Sequence, residues 1–258
     1  MLISDERNLK DERGYTYVDH GQARVGNRWL ERVWSGFMGH TTSLKQKKGD
    51  VEWAAPVSPE FSLEVAGSTL GVDDFGEVEW SEECSELGAT LVATHRRPGL
   101  ELRVEQLAFH DAPALLRSVS VLNIGGQVLE IGRVIIESIA LDNPEVHFRT
   151  GDFKQPQAAA EFVGTTALGA WVHGDRGLLM LCEGEGGIDL GSHTPGICSV
   201  AYQGLKRLGA SERAFVGRTF LIAFEGDPSA ARDTLVPDVQ GQLRLHERRI
   251  SKRSLEDA

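Results

Sequence analysis

The chain has 258 residues, 41% hydrophobic and 25% charged, enough apolar material for one large or two average soluble domains. Its 38 acidic and 27 basic residues leave a formal net charge of −11, which lacks the basic footprint of general nucleic-acid binding and disfavours anionic membrane surfaces. No stretch approaches the ~20 apolar residues of a membrane span, and three widely spaced cysteines, Cys84, Cys182 and Cys198, form neither a disulfide framework nor a zinc pattern.

Residues 1–14, "MLISDERNLKDERG", are charged from the fourth position and lack the apolar run of a secretory signal. They read as a polar leader, and a cytoplasmic location is the default expectation. From residue 15 onward, short apolar runs alternate with Gly, Asp and Pro punctuation. "KQKKGD" at 45–50 reads as a solvated basic turn. "FSLEVAG" puts Phe61, Leu63 and Val65 on one face and Ser62 and Glu64 on the other, the two-residue period of a half-buried strand. "GEVEWSE" repeats it with Val78 and Trp80, and "GLELRVEQ" with Leu100, Leu102 and Val104. The phase then flips to Leu107 and Phe109, which predicts a bulge or bend near Gln106.

"AFHDAPALLRSVSVLNIGG" continues the pattern: a strand end, a corner at Ala112 and Pro113, a second strand and a glycine turn. That second strand carries Arg117, Ser118 and Ser120, which suit a sheet face that meets water or another domain. "QVLEIGRVIIESIALD" has apolar residues at both parities and is expected to be covered on both sides. Further strands fit "LGAWVHGD", "GLLMLCEGE", "GICSVAYQG" and "FVGRTFLIAFEG", where Cys182 and Cys198 look like small apolar strand residues. The 29 glycines suit many tight turns. The expectation is an all-β, antiparallel domain over 15–226, a large sandwich or barrel.

Residues 227–258 differ. Asp227 suits an N-cap and Pro228 the first helical position, while Pro237 should interrupt or kink the helix. Val239, Leu243, Leu245 and Ile250 form only a weak apolar stripe, so an exposed C-terminal helical extension is expected, with a basic run over 244–253 as a possible docking arm.

Several motifs stand in a telling order: "N-x-x-L-x-R" at Asn27, Leu30 and Arg32; "P-E-F" at Pro59, Glu60 and Phe61; "P-A-L-x-R" at Pro113 to Arg117; then "N-x-G" at Asn123 and Gly125. In pattern and order the chain resembles the N-terminal β domain of melibiase-type α-galactosidases, from about Val25 to Leu141. The resemblance implies a galactose-mutarotase-like β-supersandwich. In that family the catalytic carboxylates sit on a (β/α) barrel that follows, for which ~200 or more residues would be needed, so none of its catalytic residues carries over. The resemblance implies a carbohydrate-associated accessory domain, non-catalytic alone, with a carbohydrate ligand and a separately encoded barrel-type chain or a second copy as partners. Glu60 matches a segment that runs near the sugar in full-length relatives.

From the residues themselves, sugar binding calls for an aromatic platform with carboxylates and arginine. Trp53, beside a Pro-bounded loop, is the platform candidate, with Glu60 and Arg117 as further substrate-binding candidates. The alternative is a small aldose mutarotase or epimerase. It would need a His and a carboxylate on opposite sides of the ring, with pKa values that bracket neutrality. His173 in "WVHGD", His193 in "LGSHTPG" and Glu183 are the candidates for that pair. "CEGEGGIDLGS" lacks the strand–loop–helix context of a phosphate loop, so no cofactor is expected, and no metal-ligand spacing is present.

Overall fold

The computed structural model describes residues 13–19, 21–55, 58–140, 147–150, 166–184, 187–194, 197–204 and 206–256. In chain order the strands are β1 (Tyr15–Val18), β2 (Gln22–Gly26), β3 (Leu30–Ser35), β4 (Thr41–Gln46), β5 (Val51–Glu52), β6 (Glu60–Val65) and β7 (Ser68–Gly71). After a single 3₁₀ turn (Val72–Asp74) come β8 (Glu79–Cys84), β9 (Gly88–Arg97), β10 (Leu100–Phe109), β11 (Ala114–Asn123), β12 (Leu129–Ala140) and β13 (His147–Thr150). They are followed by β14 (Thr166–His173), β15 (Arg176–Gly184), β16 (Gly187–Thr194), β17 (Ile197–Gln203), β18 (Lys206–Leu208), β19 (Arg213–Glu225) and one helix, α1 (Pro228–Glu256).

Every strand pairing is antiparallel. The strands form three sheets, ordered β1-β2-β3-β4-β5, then β13-β14-β15-β19-β11-β10-β9-β8, then β16-β17-β12-β6-β7 with β18 beside β12. The expected all-β antiparallel sandwich with a C-terminal helix is the observed fold. Its main core lies between the sheets and draws on all three, for example Leu30, Leu63, Leu102, Val121, Ile136 and Trp171. Cross-sheet contact is close where Gly184 pairs with Gly217. A Cβ on either glycine would meet the Tyr202 ring at 2.0 or 2.3 Å. Only glycine lets that ring lie on the strands, where Tyr202 Oη sits within hydrogen-bonding distance of the Glu183 and Arg218 carbonyls.

A second core explains the phase flip in β10. The registers of β10 with β9 and with β11 run unbroken past Gln106, so the expected bulge is absent. Leu107 and Phe109 instead face the other side of the eight-stranded sheet. There they pack with Leu116, Leu181, Phe220 and Ile222 under Ala231, Val239 and Leu243 of α1. Both sheet faces are buried there, so both parities read apolar. This also corrects the expectation of an exposed terminal helix: its first half is docked, and Leu245 and Ile250 are exposed. The helix runs through Pro237 as one element, although an interior proline costs ~3 kcal/mol. Burial of the apolar residues on either side of Pro237 offsets that cost.

In β12 the mixed parity has two sources. Register shifts against β6 and β17 rotate the strand, bringing Ile131, Val134, Ile136 and Ile139 all into the main core. In addition Ile136, Glu137, Ser138 and Ile139 are buried in succession, so this part is covered on both sides as expected.

Candidate functional site

The polar residues of the motif segments converge inside the sandwich. Asn27, fully buried, donates from Nδ2 to the carbonyls of Phe109, Ala112 and Ala114 at 3.1–3.2 Å. Its Oδ1 accepts from the Trp29 and Leu30 amides at 3.0 and 2.9 Å. One side chain thus bolts the β10–β11 corner to the start of β3. Two residues along β3 from Leu30, Arg32 points into the interior. Its Nη1 and Nη2 grip Glu137 of β12 at 2.9 and 2.8 Å, Nη2 reaches Glu60 of β6 at 3.0 Å, and Nε donates to Thr41 Oγ1 at 2.8 Å. Arg117 of β11 donates from Nη1 to the other Glu60 oxygen at 2.7 Å. The Thr41 amide (2.8 Å) and hydroxyl also donate to Glu60. Two arginines and two glutamates, all no more than 2% exposed, cancel in charge and tie the three sheets together.

Glu60 is held in an uncommon state. Its φ of 65° is left-handed, a region that costs a non-glycine residue of order 1–2 kcal/mol. Burial alone would raise its carboxyl pKa, but the Arg32 and Arg117 guanidiniums outweigh this and bring it down to about 2. Burial would likewise drive Arg32 toward neutrality. Glu137 and Glu60 overcome it, so its pKa lies above that of free arginine. Next to this cluster is His95, 2% exposed, against the rings of Phe61 and Phe75 at 4.9 and 6.0 Å. Burial first, and Arg117 second, push its pKa down to about 4, so it is neutral at pH 7. Trp34, Trp80, His95, Gln106 and Arg117 line a cavity of about 10 Å³. Around it His95 Nδ1, both amide atoms of Gln106 and Arg117 Nε have no protein partner among the described residues. Its capacity is about one water molecule, far less than a sugar ring.

The candidate residues fall in separate places. Glu60 and Arg117 meet, but each is sealed in the ion cluster. Trp53 is fully buried, 6.4 Å from the Trp171 ring. Burial therefore takes the expected platform, Glu60 and Arg117 away from any surface on which a saccharide could be met. Arg117 points inward while Ser118 and Ser120, at the opposite parity, point to the outer face of the sheet. The expected His173–Glu183 pairing does not form. His173 stands opposite Arg176 at the closed end of the β14–β15 hairpin, and Glu183 opposite Thr166 at its open end. Seven residue steps separate them, about 23 Å along the strand. His193 belongs to β16 in another sheet, and its side chain lies outside the described residues. Glu137 escaped sequence reading, although an acid set between Ile136 and Ile139 in a central strand is itself a signal, because a buried carboxylate needs a partner.

The accessible polar surface is the outer face of the eight-stranded sheet beyond the helix. Cross-strand registers define its rows. Leu107, Leu116, Phe220 and Leu181 lie under α1; the next row is Glu105, Ser118, Arg218 and Glu183; the next Arg103, Ser120 and Phe215; then Glu101, Leu122 and Arg213. Ion pairs lace it together: Arg103–Glu105 at 2.8 Å, Arg96–Glu101 at 2.8 Å and Arg218–Glu183 at 2.8 Å. Glu183 also accepts from Gln240 of the helix. Hydroxyls, carboxylates, guanidiniums and one exposed ring, Phe215, stand side by side here.

No family model matches the chain, and no curated protein matches it in sequence. Solved structures share its fold. A polysaccharide lyase is 13% identical with a TM-score of 0.56, over 83% of this chain and 34% of the lyase. The GH36 α-galactosidase AgaB from Geobacillus stearothermophilus is 11% identical with a TM-score of 0.59, over 82% of this chain and 41% of that one. A galactose mutarotase related enzyme from Lactobacillus acidophilus is 11% identical with a TM-score of 0.52, over 83% of this chain and 98% of that one. The chain thus spans roughly a third to two fifths of the lyase and the galactosidase. The likeness places it in the galactose-mutarotase-like β-sandwich fold. Among the described residues no helix is long and apolar enough to cross a membrane.

Proposed function

We propose that this chain is a carbohydrate-associated accessory domain, non-catalytic by itself, that presents the polar half of its eight-stranded sheet to a saccharide. A barrel-type glycoside hydrolase chain is the partner it would serve. The observation that carries this reading is the set of rows beside α1, Glu105–Ser118–Arg218 and Arg103–Ser120–Phe215. They set planar charged groups, hydroxyls and an exposed ring within one accessible surface, the mixture that hydroxyl pairs and sugar C–H faces require. The likeness of fold to a GH36 α-galactosidase supports it. The test is an NMR titration of the ¹⁵N-labelled protein with galactose and short α-galactosides. Saturable amide shifts at Ser118, Ser120 and Phe215, weakened severalfold by Arg103→Ala, are expected. Absence of any shift on this face would sink the reading.

A second reading, a small aldose mutarotase-like enzyme, is favoured by one observation: the mutarotase related enzyme is covered over 98% of its length, so in that protein the sandwich stands alone. In this chain His40 Nε2 lies 2.9 Å from the Asp73 carboxylate, bonded to it rather than facing it across a ring. Magnetisation exchange between galactose anomers decides between the two. Exchange catalysed by the wild type and lost in His40→Ala or His173→Ala would select the enzyme.

A further inference from the structure

A second cavity, of about 230 Å³, opens at one end of the sandwich, where the β2–β3, β4–β5 and β10–β11 turns meet α1. Five apolar residues make most of its wall: Trp29, Pro113, Ala223, Phe224 and Leu235. Ala223 and Phe224 are buried in the sheet, while Trp29 and Leu235 are half-buried. Gln46 also lines the cavity, and its Nε2 is engaged by the Phe224 carbonyl at 3.2 Å. A closed apolar cavity of ~150 Å³ takes up benzene. The larger volume here has room for one aromatic ring carrying a short substituent. Trp29 and Phe224 suit a ring better than a flexible chain, because aromatic pairs gain energy beyond the area they bury.

The charged groups stand at the mouth. Lys48 Nζ bonds Glu225 Oε2 at 2.7 Å, and Arg176 Nε reaches Glu225 Oε1 at 3.4 Å. Both oxygens of Glu225 are therefore taken by cations. Arg176 also approaches Asp175 at 3.9 Å, and the exposed Arg28 guanidinium stacks 3.9 Å from the centroid of the Trp29 ring. Three cations thus stand with two carboxylates around this opening. Lys48, 68% exposed, carries three N–H donors and can bond a second carboxylate without releasing Glu225. A ligand charge placed there stays in contact with water, so its desolvation is small.

We infer that this cavity is a binding site for a small aromatic acid, a single ring with a carboxylate on a short arm. The ring enters among Trp29, Pro113, Phe224 and Leu235, and the carboxylate stays at the mouth beside Lys48 and Arg28. The site is separate from the sheet face and does not rest on the function proposed above.

The test uses the ¹⁵N-labelled full chain and the indole Nε1–H signal of Trp29, assigned with Trp29→Phe. The probes share one ring and differ in charge: phenylacetate, 2-phenylethanol and phenethylamine. Phenylacetate should shift the signal saturably with a Kd in the millimolar range, 2-phenylethanol should bind severalfold more weakly, and phenethylamine more weakly again. In the wild type, NOEs from the phenylacetate ring protons should reach the Leu235 methyls and the Trp29 indole, a readout that needs no variant. Lys48→Gln should weaken phenylacetate severalfold and leave 2-phenylethanol unchanged. Leu235→Trp, which fills the cavity from the helix, should abolish both, with the fold checked by circular dichroism. The inference is overturned if phenylacetate leaves the Trp29 signal unmoved, if its NOEs fall elsewhere, or if the shift survives in a folded Leu235→Trp. Phenethylamine binding as tightly as phenylacetate would equally overturn it, since the mouth would then not select an acid.

Discussion

The interior of the sandwich and the outer face of the eight-stranded sheet use charged side chains in opposite ways. On the inner face Arg117 meets Glu60, and through it Arg32 and Glu137, all sealed from water and balanced in charge. On the outer face Arg103 pairs with Glu105 within reach of solvent, while Arg96 and Arg213, both well exposed, reach down to Glu101 at the sheet surface. In low dielectric an unpaired charge is intolerable, so the inner set specifies which sheets meet and in what register. In water the same ions are nearly free to exchange partners. The inner cluster is therefore architecture, and the outer rows are the surface that can turn to something else.

The sharpest way to break this contrast is to remove Arg32. Arg32→Met leaves Glu137, fully buried, without a counter-charge and strips Glu60 of one of its two arginines. The expected loss is ~3–5 kcal/mol, or roughly 10 °C in thermal midpoint for a chain of this size. Because the cost is that of the stranded acids, Arg32→Met combined with Glu137→Leu should recover more than half of it. Calorimetric or circular-dichroism melts of the three proteins read this directly. A single variant that melts within 2–3 °C of wild type would mean the cluster is not the staple described.

Acid titration sharpens the same contrast. His95 has a folded pKa of about 4 against an ordinary value of 6.5. Between those two pH values the unfolded chain binds a proton that the folded one does not. Stability should therefore fall as pH drops from 6.5 to 4 and level off below, a change on the order of 3 kcal/mol. Glu60, held down at about 2 against 4.5, contributes stability that is intact above 4.5 and lost as pH falls toward 2. Urea unfolding from pH 7 to 3 should show the two windows in succession. His95→Phe should erase the first and keep the second; a wild-type profile flat from 6.5 to 4 would refute the burial of a neutral His95.

The helix-covered part of the outer face gives an effect of middle size. Leu243, one helical turn after Val239, is buried in the same core against the sheet. Leu243→Ala should cost about 2 kcal/mol, the lower end for such truncations, since this layer is only one helix thick. Hydrogen exchange should locate the change: amides of α1 should lose protection while those of β3 and β12 keep theirs. Uniform loss would show that helix and sandwich unfold as one unit.

Sheet architecture was legible because alternation has a physical cause, burial of one face. It misled where that cause doubled. The phase flip at Gln106 reads as a bulge only if one face is wet, and the α1 contact buries both. The site residues were less legible. Arg32, Glu60 and Arg117 stand in the motifs that carried the resemblance, yet sequence spacing cannot tell a residue that faces a ligand from one that faces another motif. Glu183 and His173 look adjacent in a strand-rich stretch but sit at opposite ends of one hairpin. Gln46 bonds through its side-chain amide to a carbonyl 178 positions away, which no local pattern encodes.

The smallest effect closes the comparison. Arg103 pairs with Glu105 at 2.8 Å and approaches Glu83 at 3.6 Å, all three partly or largely exposed. Arg103→Met should change stability by under about 1 kcal/mol, and the change should shrink as salt rises from 0.1 to 1 M, since the Debye length falls from ~10 to ~3 Å. The Arg32→Met loss, by contrast, should keep most of its size across that range, because no ion reaches Glu137. Melts of both variants at the two salt concentrations put the inner and outer faces on one scale. If Arg103→Met cost as much as Arg32→Met, or if salt abolished the Arg32→Met effect, exposure would not be what separates them. The outer rows would then have to be read as part of the fold's own framework rather than as surface available to a saccharide.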